Sequence, residues 1–207
     1  MNPRPRALVI ALTGGVAAGK SAVSRRFESL GIAVHDADVA AREVIEPGTP
    51  GLAAVVTAFG TDVLGSDGRL DRPSMRQRVF ANPALRVTLE SIIHPLVRAW
   101  LHQRALDDRG PYCLLAIPLL AENIEHYRWV ERVLLVDVPE SLQMRRLLAR
   151  DGIDEALARR MIDQQATRAE RLSLADDVIE NSGDQAALDD AVAELHQRYL
   201  SLAHARL

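Results

Sequence analysis

Residues Gly14-Gly15-Val16-Ala17-Ala18-Gly19-Lys20-Ser21 follow the spacing G-x-x-x-x-G-K-S. In a loop of this kind, backbone N–H groups surround a phosphate, the lysine neutralises the outer phosphate oxygens and the serine hydroxyl ligates Mg²⁺. A second group is Asp36-Ala37-Asp38, two carboxylates spaced by two at the end of an apolar run, which an extended chain points to the same side. Beside a phosphate loop, one carboxylate can accept the proton of an attacking hydroxyl while the other helps to hold the waters of Mg²⁺. A third group is Arg146 and Arg150, four apart and on one helix face with Gln143, so that both guanidiniums reach one site. The planar guanidinium fork suits phosphate oxygens. The chemistry shared by the three groups is phosphoryl transfer from a nucleoside triphosphate to a hydroxyl.

Each group has a structural competitor. Asp38 also reads as the N-cap of a helix over 39–46. Arg146 and Arg150 also read as a solvated basic face. Asp137 rivals the Asp pair as a metal ligand, because it ends the apolar run Val133-Leu134-Leu135-Val136, but Val138-Pro139 turns the chain directly after it.

These residues need a scaffold that holds a loop between a buried strand and a helix. Ala7 to Leu12 supplies six apolar residues before the loop, and Val23, Phe27 and Leu30 follow at helical spacing, with Gly31 as the stop. The helix then points its N-terminus, with its dipole and unpaired N–H groups, at the phosphates. Strands are expected near 7–12, 32–36, 112–117, 132–138 and 177–180, alternating with amphipathic helices. That alternation specifies an α/β fold, a parallel five-stranded sheet flanked by helices. A helical insertion is expected over about 40–110 and a smaller helical lid over about 149–174, both closing over the carboxyl edge of the sheet within a single domain spanning 1–207.

Composition narrows the class further. The chain has 207 residues, 48% hydrophobic, with a formal charge of −3, which fits one compact unit with appendages and argues against a nucleic-acid surface. Arg4 and Arg6 precede an apolar run that stops after six residues, too short for a secretory leader, and no stretch approaches a bilayer span. A cytoplasmic protein with no membrane partner is expected, as a monomer or weak homo-oligomer. The single cysteine, Cys113, lies in the apolar run Tyr112 to Ile117 and reads as a core residue, with a disulfide framework or cysteine-based metal site excluded.

Nearly the whole chain resembles the dephospho-coenzyme A kinases. The resemblance runs in order through Leu12-Thr13-Gly14-Gly15, Asp36-Ala37-Asp38-Val39-Ala40-Ala41-Arg42, Pro47-Gly48, Phe59-Gly60 and Asp67-Gly68-Arg69-Leu70-Asp71-Arg72. It continues through Val79-Phe80, Ile92-Ile93-His94-Pro95, Ile117-Pro118-Leu119-Leu120-Ala121-Glu122, Gln143, Arg146, Arg150-Asp151 and Ala175 to Gly183. The resemblance implies a P-loop kinase fold and transfer of the ATP γ-phosphoryl group to the ribose 3′-hydroxyl of dephospho-coenzyme A. It implies Asp38 as the base and Lys20, Arg146 and Arg150 as charge-stabilising groups. Gly14 to Ala22 (Gly14, Gly15, Val16, Ala17, Ala18, Gly19, Lys20, Ser21, Ala22) would hold ATP, with Ser21 on Mg²⁺ and Asn181 on the adenine side. Asp36, Arg42, His94 and Arg98 would hold the acceptor, with His94, just before Pro95, expected at a helix N-terminus.

The chain departs from the family pattern in two places. Ala17 stands where a glycine is usual, and the loop path is expected to survive if its φ stays negative. Ala116 and Ala121 stand in a segment the family often writes Asp-Val-Pro-Leu-Leu-Phe-Glu, which shifts metal and acceptor roles towards Ser21 and Asp36. Another small-molecule or nucleotide kinase is the competing enzyme class. A guanine-nucleotide switch fits poorly, because Asn181-Ser182-Gly183-Asp184 lacks the required lysine and Asp62-Val63-Leu64-Gly65 does not follow an apolar strand.

Overall fold

The computed structural model describes residues 7–206, so Arg4, Arg6 and Leu207 lie outside the described residues. The chain divides into two compact units, one of residues up to His35 and from Ala105 onward, the other Asp36–Arg104.

The first unit is built on a five-stranded parallel sheet of β1 (Leu8–Gly14), β2 (Val34–Asp36), β3 (Tyr112–Ala116), β4 (Arg132–Asp137) and β5 (Asp177–Glu180), in the order β2-β3-β1-β4-β5. β1 is central and buried along its full length, which is why its sequence is a continuous apolar run rather than an alternating one. It pairs in parallel with β3 on one side and β4 on the other. The loop at its carboxyl end therefore leaves at the point where strand order reverses, the crevice in which open α/β sheets hold ligands. Strand β2 is shorter than the expected 32–36. Ile32 and Ala33 precede it, the Ala33 carbonyl accepting from the Leu114 N–H at 3.0 Å.

Helix α1 (Lys20–Ser29) and the last helix, Gln185–His204, cover one face of this sheet. Phe27 of α1 meets Tyr112 of β3 edge-on and stacks on Tyr199, with ring centroids 6.3 Å apart in both cases. Val23 and Phe27 are fully buried, but Leu30 is 43% exposed, so only the first two of the three expected apolar positions reach the core. The helix has already closed there, the Gly31 and Ile32 N–H groups returning to the Glu28 and Phe27 carbonyls. Edge strand β5 is anchored by Asp177, whose buried carboxylate accepts from Arg132 of β4 at 2.9 Å and from the Tyr199 hydroxyl at 3.1 Å.

The second unit is helical, with α2 (Ala37–Glu43), α3 (Pro50–Phe59), α4 (Arg72–Ala81) and α5 (Pro83–Asp107), whose last three residues belong to the first unit. Side-chain caps start its helices: Asp36 for α2, Thr49 for α3 and Asp71 for α4. Ile45, Val55, Val63 and Met75 form its buried centre. Two expectations change here. Asp36, not Asp38, caps α2, its Oδ1 accepting the Asp38 N–H at 2.7 Å, because the helix starts at Ala37, directly after the strand ends at Asp36 and two residues before the 39–46 reading. His94 is not at a helix start: Pro95 lies inside the 25-residue α5. The start is made instead by Asn82, whose Oδ1 accepts from Ala84 N at 3.0 Å, ahead of Pro83. Pro95 is exposed, so the carbonyl that loses its partner can face water.

Back in the first unit, α6 (Glu140–Asp151), α7 (Glu155–Asp163) and α8 (Arg168–Leu174) follow β4, and α9 (Gln185–His204) follows β5. Met144 and Leu147 of α6 pack on Ala158 and Ile162 of α7. Asp154 caps α7, and Thr167 with Glu170 forms a capping box on α8. No helix among the described residues is long and apolar enough to cross a membrane.

Candidate active site

The phosphate loop lies between the end of β1 and the first turn of α1, and side chains from three directions hold its backbone. From below, Gln143 of α6 and Arg171 of α8, only 2% and 7% exposed, press against Gly15. A Cβ at that position would sit 2.0 Å from Gln143 Nε2 and 3.0 Å from Arg171 Nη2, so a larger residue there would have to displace the Gln143 amide. At one flank, the Val16 N–H donates to Gln165 Oε1 at 2.7 Å. At the other, Asn181 Nδ2 donates to the Ala18 carbonyl at 2.8 Å. Arg146 completes the clip, donating to the Asn181 carbonyl at 2.8 Å and to the Ala18 carbonyl at 3.3 Å. Gly19, the N-cap of α1, has φ 98°, and a Cβ there would meet Asn181 Nδ2 at 2.2 Å. Both its conformation and its crowding demand glycine.

Ala17 departs from the expectation of a negative φ. Its φ is +58°, a conformation that costs an L-residue about 1–2 kcal/mol. The loop is over-determined by the contacts on either side of it, and the alanine methyl packs beside Val16 on the α6–α7 cluster. The family's usual glycine at this place thus has a conformational reason that loop spacing alone does not reveal.

Lys20 Nζ folds back on the loop and donates to the Gly14 carbonyl at 2.7 Å. Lys20, Ser21, Ala22, Ala17, Gly19, Arg146, Arg150 and Asn181 line one open cleft of about 1130 Å³, so the structure brings most of the expected donor-site residues together. That volume lies just above the usual range for small-molecule sites, about 300–1,000 Å³, as an open cleft would. Gly14, Gly15, Val16 and Ala18 form the loop itself.

The two expected arginines differ in their present partners. Arg146 is tied to loop carbonyls, whereas Arg150, in the last turn of α6, pairs with Asp151 through Nε at 2.6 Å and Nη2 at 2.8 Å. This hydrogen bonding raises the Arg150 pKa and holds the Asp151 carboxyl below its ordinary range. Asp137, the rival metal ligand, is buried and accepts a forked pair of bonds from Arg168, at 3.0 Å from Nε and 2.7 Å from Nη2. Its carboxylate is committed to fastening α8 to the end of β4.

Asp36, Asp38, Arg42, His94 and Arg98 belong to the second unit. Asp38 is exposed in the first turn of α2 and Arg42 is in its last turn, while His94 and Arg98 lie four apart on α5. Sequence reasoning missed Gln165 and Arg171. Both sit in a charged helical stretch that reads as solvated surface, and nothing in its pattern separates them from their neighbours. Burial lowers the Arg171 pKa, opposed by the charges of Glu122, Asp137 and Glu140, which marks it as a residue the fold has enclosed.

The model of the family described as dephospho-CoA kinase matches residues 8–187. The chain belongs to the dephospho-CoA kinase family. A dephospho-CoA kinase from Methylococcus capsulatus is 50% identical over 198 residues, 96% of this chain and 100% of that protein. The solved structure titled TT1252 from Thermus thermophilus superposes with a TM-score of 0.77 at 30% identity, over 95% of this chain and 98% of that one. A dephospho-CoA kinase from Campylobacter jejuni shares the fold, with a TM-score of 0.68 at 24% identity over 94% of this chain and 98% of that one. Membership in the dephospho-CoA kinase family disfavours the competing class of other small-molecule kinases.

Two outcomes follow for the loop. Lys20 is the only lysine in the sequence, so a side-chain amine label reports this residue alone. Peptide mapping should show its labelling slowed at least tenfold by Mg·ATP and not by adenosine. For Ala17, substitution by Gly should raise the unfolding free energy by up to about 1 kcal/mol, and by Val should lower it by about 2 kcal/mol, since a β-branched residue resists positive φ. Denaturant titration of both variants checks the sign.

Proposed function

We propose that the chain transfers the γ-phosphoryl group of ATP to the ribose 3′-hydroxyl of dephospho-coenzyme A, giving coenzyme A, the final step of its biosynthesis. The observation that carries this reading is the family likeness, which runs unbroken through the phosphate loop, the Asp36–Asp38 segment and Asn181. In phosphoryl transfer the transition state is loose, so a protein contributes mainly position and charge. The loop N–H groups and the N-terminus of α1 cradle the donor phosphates. Lys20 exchanges its loop carbonyls for phosphate oxygens, since charge-assisted bonds are the stronger ones.

Asp38 accepts the proton of the 3′-hydroxyl, and Asp36 supports it by capping α2 through the Asp38 N–H. Arg146 holds the loop in place as well as contributing charge, and Arg150 leaves Asp151 to meet the transferring group. Arg42 and Arg98 offer cations and His94 a ring nitrogen to the acceptor's phosphates, and Asn181 borders the adenine. The segment around α7 and α8 serves as the lid, and the unit Asp36–Arg104 as the acceptor-binding insertion. The Ser21 hydroxyl, exposed on the first turn of α1 in the cleft with Lys20, suits a cation that takes few protein ligands and keeps phosphate oxygens and water. Bound there with ATP, Mg²⁺ would supply neutralisation of phosphate charge. The reaction belongs in the cytoplasm, with the protein acting as a monomer or weak homo-oligomer.

Incubation with Mg·ATP and dephospho-coenzyme A should add one phosphoryl group to the acceptor, read by its mass, with matching ADP release. In Asp38→Asn the turnover should fall by roughly 10²-fold or more, while the KM for ATP changes little. ADP release with no gain in acceptor mass would overturn the acceptor assignment. Near-normal turnover in Asp38→Asn would remove that residue from its role.

A further inference from the structure

Away from the cleft, three chemically different donors meet on the other face of the sheet. Val34 of β2, with Tyr112 and Leu114 of β3, packs into the cluster shared with α1 and α9. Alternation along the strands therefore sends His35 and Cys113 to the opposite face. Asp108, in the turn between α5 and β3, joins them. Its Oδ2 lies 3.4 Å from His35 Nε2, and one ligand atom from each of His35, Asp108 and Cys113 falls within 4.8 Å of the others. Among the described residues it is the only such cluster. It is enclosed: the His35 and Asp108 side chains are 17% and 9% exposed, and Cys113 is fully buried.

The geometry points to a site for a divalent zinc-type cation on His35, Asp108 and Cys113, with a fourth position left to water. Metal–nitrogen and metal–oxygen bonds of about 2.0–2.2 Å at tetrahedral angles place neighbouring ligand atoms about 3.3–3.5 Å apart, and the His35–Asp108 pair already has that spacing. The sulfur, within 4.8 Å of the other two ligand atoms, needs to close to about 3.6 Å, a shift of about 1.2 Å at most. The Gly110 N–H donates to the other Asp108 oxygen at 2.8 Å, orienting the carboxylate as outer hydrogen bonds orient metal ligands. One nitrogen, one oxygen and one sulfur suit Zn²⁺ or Co²⁺ and not Mg²⁺, which takes oxygen. Binding forms the metal–sulfur bond, breaks the Cys113 S–H bond and releases that proton to solvent. The cysteine count excludes only sites that need several thiolates; a mixed site needs one.

The position of the site gives it a consequence. His35 is the last residue before the chain leaves for the second unit at Asp36, and Asp108 follows shortly after its return at Ala105. An ion here fixes the strand end that directly precedes Asp36 and Asp38. The inference stands apart from the kinase reading, since it uses no residue of the cleft.

The test is a Co²⁺ titration of the reduced, nucleotide-free full chain. Cys113 is the only cysteine in the sequence, so a sulfur-to-cobalt charge-transfer band reports that atom alone. The band should saturate at one ion per chain, with one proton released, and vanish on adding Zn²⁺. His35→Gln and Asp108→Asn should each weaken Co²⁺ binding at least tenfold, and Cys113→Ser should abolish the band. Zn²⁺ at a hundredfold excess over its dissociation constant should raise the thermal midpoint of the unsubstituted chain by about 5 °C or more, and not that of Cys113→Ser. Absence of the band in the unsubstituted chain overturns the site, leaving the His35–Asp108 pair as a tie between β2 and the α5–β3 turn. A band of equal strength in His35→Gln and Asp108→Asn also overturns it, as binding by an isolated thiol.

Discussion

The phosphate loop of this chain is held so closely that a Cβ on any of its glycines would collide with a neighbouring group, and that packing fixes the path of the backbone that carries Lys20 and Ser21. Gln143 and Arg171 occupy the space where a Cβ of Gly15 would lie, and Asn181 does the same at Gly19. The loop's path is thus set by contacts within the chain, which lowers the free energy that binding spends on ordering it. Ala17 shows how firm the hold is, since an alanine is kept at positive φ between these fixed points. The clamping side chains come from α6, from α8 and from the turn after β5, so the helices beyond the sheet serve first as the loop's mould.

Electrostatics divides the arginines between structural and chemical work. Arg168 and Arg132 are consumed by the buried carboxylates Asp137 and Asp177, which fasten the ends of β4 and β5. Arg146 is partly consumed by loop carbonyls. Arg150 stands at the rim of the cleft, its side chain exposed and paired with the adjacent Asp151 carboxylate, an arrangement that costs little to exchange for phosphate oxygens. Lys20, alone of its kind in the sequence, reaches the loop carbonyls from the first turn of α1. A cation at the start of a helix is opposed by the helix dipole, so its position is set by the anion it serves and not by helix stability.

The sheet was legible chiefly because β1, β3 and β4 are buried on both sides and therefore appear as near-continuous apolar runs; all five strands were found, with ends displaced by up to two residues. The loop was legible because phosphate binding requires glycine and lysine at fixed spacing. Legibility failed where a local signal had two explanations. Pro95 looks like a helix start, yet Asn82-Pro83 is the stronger one and Pro95 is tolerated on an exposed face. Either aspartate of Asp36-Ala37-Asp38 could cap α2, and the helix start at Ala37, with no residue between strand and helix, decides for Asp36. The positive φ of Ala17 and the roles of Gln165 and Arg171 come from tertiary contacts with residues more than a hundred positions away, which no local pattern encodes.

The most direct test of the assignment of roles is a crystal structure with a non-hydrolysable ATP analogue, Mg²⁺ and dephospho-coenzyme A bound together. The expected result has the analogue's phosphates on Lys20 and the loop N–H groups, and the Asp38 carboxylate within about 2.6–3.2 Å of the ribose 3′-oxygen, in line with the γ-phosphorus. A complex in which the 3′-oxygen lies beyond reach of Asp38, or in which the phosphates bind away from the loop, would contradict it.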